Sequence, residues 1–359
     1  MKVTRYEIDM LDVKNADAFL IHFWDDDTNY DYVVLIDGGN YQDGTRIANF
    51  IRKHYGRNKN IDLVICSHCD KDHFGGITYL LEQQKDDGQD NMNIDQIWIN
   101  DPAKHVKSKE KEIKWSSLMN LQTKMVKARS VYDIDGHSNL FDIIDNLKDN
   151  NRITMFEPFS DASETDEIGV CANGLFQIIG PTKKYYESLV LDFRNDLQRK
   201  KGGYDSDESR EQESVLCENI VFSNTLDDAD DDPSSHNKSS VILLFQPSDD
   251  NKFLFMGDAC RDSINNIPEN LKPEIQSVYW LKVPHHGSKH NLDSDIINHI
   301  HPKIAFISTE NYGHYLSKAV VNALNKIGTK VYSTNNNSSM CHHKNTPTHS
   351  GYSPATPIK

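Results

Sequence analysis

Ser67-His68-Cys69-Asp70-Lys71-Asp72-His73-Phe74-Gly75-Gly76 sets two histidines and two aspartates within six positions, directly after the apolar run 62–66 and directly before a glycine pair. Carboxylates crowded this closely repel one another unless a cation sits among them, and a mixture of nitrogen and oxygen donors suits zinc or manganese. His68, Asp70, Asp72 and His73 are accordingly candidate metal ligands. The plainer alternative is a polar turn that caps the following helix. Cys66 and Cys69 make a CxxC pair, but Cys66 lies in the apolar run and its neighbours offer the better donor set.

Two later segments repeat the pattern of an apolar run ending in ligand-type residues: Phe253-Leu-Phe-Met-Gly-Asp258, and Tyr279-Trp-Leu-Lys-Val-Pro-His285-His286-Gly-Ser288. In open α/β sheets, sites form where neighbouring strands end, so ligands distant in sequence meet in space. Asp258 is a carboxylate able to bridge two metals.

Around these segments the chain alternates between the two periodicities. Runs 3–8, 18–24, 32–36, 62–66, 96–100, 175–179, 240–245, 252–256, 278–283 and 304–308 read as strands. Residues 45–55, 108–131, 138–149 and 316–327, with about 15 residues from Lys184, read as helices, and Gly75-Gly76 as a loop leading into another. This predicts one catalytic domain over 1–333. Between 204 and 235 the like charges of runs such as Asp227-Asp-Ala-Asp-Asp-Asp232 resist compaction, so an acidic, flexible insertion is expected there, without the spacing of an EF-hand. Residues 334–359 read as a polar, loosely held C-terminal tail. Cys341-His342-His343 with His349 belongs to that tail and lacks the second cysteine pair of a familiar zinc pattern.

Composition narrows the function classes. The 359 residues are 37% hydrophobic with a net charge of −15, which argues against avid binding of duplex DNA through its phosphates. The six cysteines are scattered, as expected of a chain that needs no disulfide framework. No leader-like apolar stretch opens the sequence and no run approaches membrane-spanning length, so a cytoplasmic protein without membrane attachment is expected.

Read together, Asp12-Val-Lys-Asn-Ala-Asp17, Ile36-Asp-Gly-Gly39, Ser67 to Gly76, Ser239-Ser-Val-Ile-Leu-Leu244, Met256-Gly-Asp-Ala259, Val283-Pro-His-His-Gly-Ser288 and Asn311-Tyr-Gly-His314 resemble the metallo-β-lactamase superfamily. Within it they resemble the hydrolase domain of ComEC-type DNA-uptake proteins and their stand-alone bacterial relatives. The resemblance runs in order over roughly residues 5–333. It implies an α/β fold, an αββα sandwich of two mixed β-sheets flanked by helices. It also implies two divalent ions per chain, zinc or manganese. His68 and Asp70 would hold one, Asp72 and His73 the other, with Asp258 bridging. One of His285 and His286 would complete the second metal and leave its neighbour for substrate contact or proton transfer; the sequence does not choose between them. The superfamily pattern places a further histidine on the first metal, for which His236 is the candidate. Ser288, Asn311 and His314 are expected to contact substrate, with packing the alternative for His314. Lys14 and Ala16 stand where the family's opening turn has glycines, and Tyr315 where it commonly has proline; these departures bear on substrate more than on metal binding.

The expected activity is hydrolysis by a two-metal-activated hydroxide, with Asp72, His285, His286 and His314 at the reacting centre. A phosphodiester or nucleotide-type substrate is expected, either single-stranded nucleic acid, an oligonucleotide or a small phosphodiester. The alternatives are a lactone, thioester or carboxyl-ester hydrolase, and a non-catalytic sensor or subunit of a defence or DNA-handling complex. Protein partners and self-association are left open by the sequence.

Overall fold

The computed structural model describes residues 1–56, 60–102, 104–105, 140–162, 174–190, 192–193, 226–248, 251–310 and 316–358. The helix expected at 108–131, Asn311, His314 and the acidic stretch 204–225 lie outside the described residues. So does most of the helix expected beyond Leu189.

Two mixed sheets stack face to face. In the first, β1 (Arg5–Met10), β2 (Phe19–Trp24) and β3 (Asp31–Ile36) form an antiparallel meander; β4 (Leu63–Ile65), β5 (Gln96–Trp98) and β6 (Thr154–Phe156) then add in parallel. The second repeats that order. β7 (Phe176–Gly180), β8 (Ile242–Phe245) and β9 (Phe253–Phe255) are antiparallel, followed by parallel β10 (Trp280–Lys282), β11 (Ile304–Ile307) and β12 (Lys330–Ser333).

The period of two along β1 and β2 explains the layering. Tyr6, Ile8, Met10, Phe19, Ile21 and Phe23 face the second sheet, where they meet Phe245, Phe253, Phe255 and Trp280 in one aromatic-rich core. The alternate residues Leu11, Leu20, Val33 and Leu35 face the helices α1 (Asp43–His54), α2 (Lys71–Lys85) and α3 (Leu140–Asp149). A third core lies on the far side of the second sheet, under α6 (Arg261–Asn265), α7 (Ser294–Ile300) and α8 (Lys318–Lys326), after α4 (Lys183–Leu189) and α5 (Ser235–Lys238) in chain order. Each large side chain withdrawn from water contributes roughly 1.5–3 kcal/mol, and three such layers make the expected αββα sandwich. No helix among the described residues is long and apolar enough to cross a membrane.

Three expectations are corrected. The helix after β4 begins at Lys71 rather than beyond Gly76, so Asp72 and His73 occupy its first turn; Phe74, Ile77, Leu80 and Leu81 supply its buried stripe. Over the described residues 334–358 the expected loose tail is not seen: after α9 (Thr334–Asn337), β13 (Met340–Lys344) pairs antiparallel with β1 at the sheet edge, and Ile358 bridges to Val331. The end of the supposed flexible insertion is packed, with Asp232 buried and hydrogen-bonded to Ser234 and Asn237. A carboxylate that satisfies local donors can be buried within an acidic run, which charge counting alone does not reveal.

His105 sits between two carboxylates, Nε2 at 2.9 Å from Glu157 and Nδ1 at 3.3 Å from Glu187. Burial opposes its protonation, but the hydrogen bonds and charges of Glu157 and Glu187 outweigh it and raise its pKa. The contribution is therefore complete below the unfolded value of about 6.5 and is lost as pH rises through the higher folded value. His105→Gln is expected to cost about 1.5–3 kcal/mol near pH 6 and clearly less near pH 9, read by urea unfolding. An equal cost at both pH values would contradict this.

Candidate metal centre

The parallel strands end on one side of the sandwich, and each hands over a polar residue there. After β3, Asp37 adopts a left-handed φ of 56° and turns its carboxylate towards the loop that follows β4. Its Oδ1 accepts from the Ser67 amide at 2.7 Å, and its Oδ2 accepts from Ser67 Oγ at 2.7 Å and His73 Nδ1 at 2.9 Å. A proton of His73 is thereby held on Nδ1 and Nε2 faces the centre, the usual outer-shell device for orienting a ligating imidazole. The glycine pair is explained by close approach: a Cβ on Gly76 would collide with the Gly38 carbonyl, and one on Gly75 would stand 2.5 Å from the Tyr41 amide. Helix α2 can seat its first turn only because both side chains are missing.

From the second sheet, β9 runs into Gly257, whose φ of 50° and closeness to Ser67 suit only glycine, and presents Asp258. After β10, His285 and His286 are consecutive non-glycine residues with φ of 46° and 53°. Such conformations cost roughly 1–3 kcal/mol each and persist where surrounding contacts impose them. His286 Nδ1 donates to the Ser308 carbonyl at 3.0 Å, which leaves Nε2 as the lone-pair nitrogen.

These side chains converge. Donor atoms of His68, His73 and Asp258 lie within 4.8 Å of one another, as do those of Asp72, His73 and His286. His73 Nε2 is 3.4 Å from Asp258 Oδ2 and 3.7 Å from Asp72 Oδ2, and His286 Nε2 is 3.4 Å from Asp72 Oδ2. His68 Nε2 stands 3.8 Å from Asp70 Oδ2, buried with no hydrogen-bond partner. A buried nitrogen lone pair left without a donor beside several carboxylates is what a cation would satisfy, and the donor set fits divalent transition ions.

Charge sharpens the fit. Burial and neighbouring His73 push the His68 pKa down to about 4, so it stays neutral as a ligand must. Burial works against ionised Asp72, yet His73 and His286 bring it down to about 2. Burial also opposes the charge on Asp258, which His73, His285 and Lys282 hold well below the usual carboxylate range. In turn burial opposes a charged His73, while Asp258, Asp72 and Asp37 raise it well above its ordinary value. A divalent ion would take over from that proton.

The two adjacent histidines divide. His286 joins Asp72 and His73, whereas His285 turns Nδ1 to Asp232 at 3.1 Å and to Asn291 at 3.2 Å, with Nε2 3.9 Å from Asp258. His236, on α5, donates from Nε2 to the Phe193 carbonyl at 3.1 Å and holds Nδ1 3.9 Å from Asp70 Oδ1. It therefore stands beside the first group of ligands. Ser288 is buried, its hydroxyl accepting from the His290 amide.

Sequence reading missed Lys282. Fully buried on β10, its Nζ pairs with Asp17, donates to the Gly257 carbonyl at 2.6 Å and lies 3.4 Å from Asp258 Oδ1. A lysine inside the apolar run 278–283 was the available signal. Asp232 and Asn291, which hold His285, gave none.

Residues 12–146 match the family profile described as Metallo-beta-lactamase superfamily. The chain is also 30% identical over 111 residues to ComE operon protein 3 of Bacillus subtilis (strain 168), a stretch that is 30% of this chain and 14% of that protein. That family match covers β2 to β5 of the first sheet, and the two mixed sheets flanked by helices are consistent with the metallo-β-lactamase fold, so the resemblance to the superfamily and to ComEC-type proteins is borne out.

Proposed function

We propose that this chain is a metal-dependent hydrolase of phosphodiesters, acting on single-stranded nucleic acid, oligonucleotides or small phosphodiesters. The observation that carries the reading is the convergence of two ligand groups on the shared imidazole of His73, with carboxylates on both sides. His68, Asp70 and His236 would hold one divalent ion, Asp72, His73 and His286 the other, with Asp258 between them. Bound there, zinc or manganese would lower the pKa of a water towards neutrality and stabilise charge building on the attacked phosphorus.

The protein's own residues divide the remaining work. Asp37 and Ser308 fix the tautomers of His73 and His286, so that neither ring must reorient during reaction. His285 carries a proton on Nδ1 towards Asp232, whose carboxyl resists burial but is held low mainly by His285 itself. That pairing suits His285 to hand a proton from Nε2 to a leaving oxygen. Three carboxylates, Asp70, Asp72 and Asp258, stand among the proposed ligands, and such hard oxygen donors suit manganese as well as zinc, ions able to stabilise charge on phosphate oxygens.

The test is the full chain reconstituted with zinc or manganese and offered single-stranded DNA, RNA, bis-aryl phosphodiesters, lactones and thioesters. Turnover of a phosphodiester is expected. Cleavage confined to lactones or thioesters would overturn the substrate class, and a metal-loaded protein inert towards all of them would overturn hydrolysis.

A further inference from the structure

Glu7 and Asp9 lie on the face of β1 opposite the aromatic core, because alternate residues Tyr6, Ile8 and Met10 take the inner face. Both are buried, at 3% and 0% exposure. Apolar layers do not accept paired carboxylates without compensation. Part of it is visible: His22 Nδ1 meets Glu7 Oε1 at 2.7 Å, while the Tyr55 hydroxyl donates to Asp9 Oδ2 at 2.6 Å. Asp9 Oδ1 remains buried without a hydrogen-bond partner.

Two residues from the end of the chain close on this pair. Cys341 of β13 stands directly opposite Asp9 in the strand ladder, which puts both side chains on the same face. The segment beyond β13 returns His349 over them, with Nε2 3.0 Å from Asp9 Oδ2 and 3.7 Å from Glu7 Oε2. One donor atom from each of Glu7, Asp9, Cys341 and His349 lies within 4.8 Å of the other three. Ligands of a tetrahedral zinc, at about 2.0–2.3 Å from the ion, stand roughly 3.3–3.8 Å apart, so contraction of a few tenths of an ångström to about one ångström closes the set. None of the four belongs to the candidate catalytic centre.

We propose that Glu7, Asp9, Cys341 and His349 form a second, structural metal site for one zinc-class divalent ion, which fastens β13 and the segment after it to β1. Thiolate and imidazole donors select a transition ion over magnesium or calcium. Four protein ligands leave no open position, as in structural rather than catalytic sites.

Cobalt(II) is the probe, since a thiolate ligand gives a near-ultraviolet sulfur-to-cobalt charge-transfer band that nitrogen and oxygen ligands do not. The full-length wild-type chain loaded with cobalt should show the band. Asp258→Ala should keep it, Cys341→Ser should lose it, and Cys341→Ser should bind one zinc fewer than wild type by elemental analysis. His349→Ala, which retains the thiol, should weaken cobalt binding at this band by more than about tenfold, the loss that even outer-shell changes produce. Absence of the band in the wild-type chain, or an unchanged band and zinc content in Cys341→Ser, would overturn the proposal. If Cys341→Ser does not fold, the wild-type spectrum and the His349→Ala titration decide it by the same criteria.

Discussion

Asp258→Ala is expected to abolish turnover and to strip metal from the centre while the sandwich stays folded. Its carboxylate groups with His68 and His73 and lies 3.4 Å from His73 and 3.9 Å from His285; in the proposed centre it stands between the two ions, so its removal would withdraw a donor from both. Loss of a single preorganised electrostatic contact already costs about 10²–10³ in kcat, and this change should exceed that. His286→Ala should behave alike, because His286 faces Asp72. His285→Ala is expected to keep most of its metal and lose rate, since its Nδ1 is committed to Asp232 and Asn291. Metal content by elemental analysis, measured beside kcat, separates the three. Full activity in Asp258→Ala, or equal metal loss from the His285 and His286 variants, would refute the assignment.

Lys282→Met is expected to produce the largest loss of stability of any single change near the centre. Burial opposes the charge on Lys282, but Asp17 and Asp258 raise its pKa, so it remains an ammonium. Replacing it leaves two buried carboxylates without their cation, and breaking a buried pair from one side costs about 3–5 kcal/mol. Combining Lys282→Met with Asp17→Asn removes one stranded charge and should recover part of that cost. Urea unfolding of the single and double variants in metal-free buffer is the measurement. A single variant within about 0.5 kcal/mol of wild type, the scale of ordinary surface substitutions, would show that the pair is not structurally important.

The features legible in sequence were those written as local contrast. Apolar runs that stop at His or Asp marked β4, β9 and β10 and supplied His68, Asp70, Asp72, His73, Asp258 and the His285-His286 pair before any coordinates. Features that depend on distant partners were not legible. β13 reads as a polar run, Met-Cys-His-His-Lys, because an edge strand needs no alternating apolar face when its partner supplies the surroundings. Asp232 resembled every other aspartate in an acidic stretch until Asn237, Ser234 and His285 surrounded it. The choice between His285 and His286 rests on two successive left-handed residues and a carbonyl from β11's end, and neither can be read from residue names.

The pairing of β1 with β13 joins residues 6–10 to residues 340–344. β1 is made about 330 residues before β13, and until β13 is made the outer edge of β1 has no strand partner. Open borders of that kind recruit strands from other chains. A premature stop upstream of Met340 would leave β1 at the border of the sheet in place of the short, polar β13.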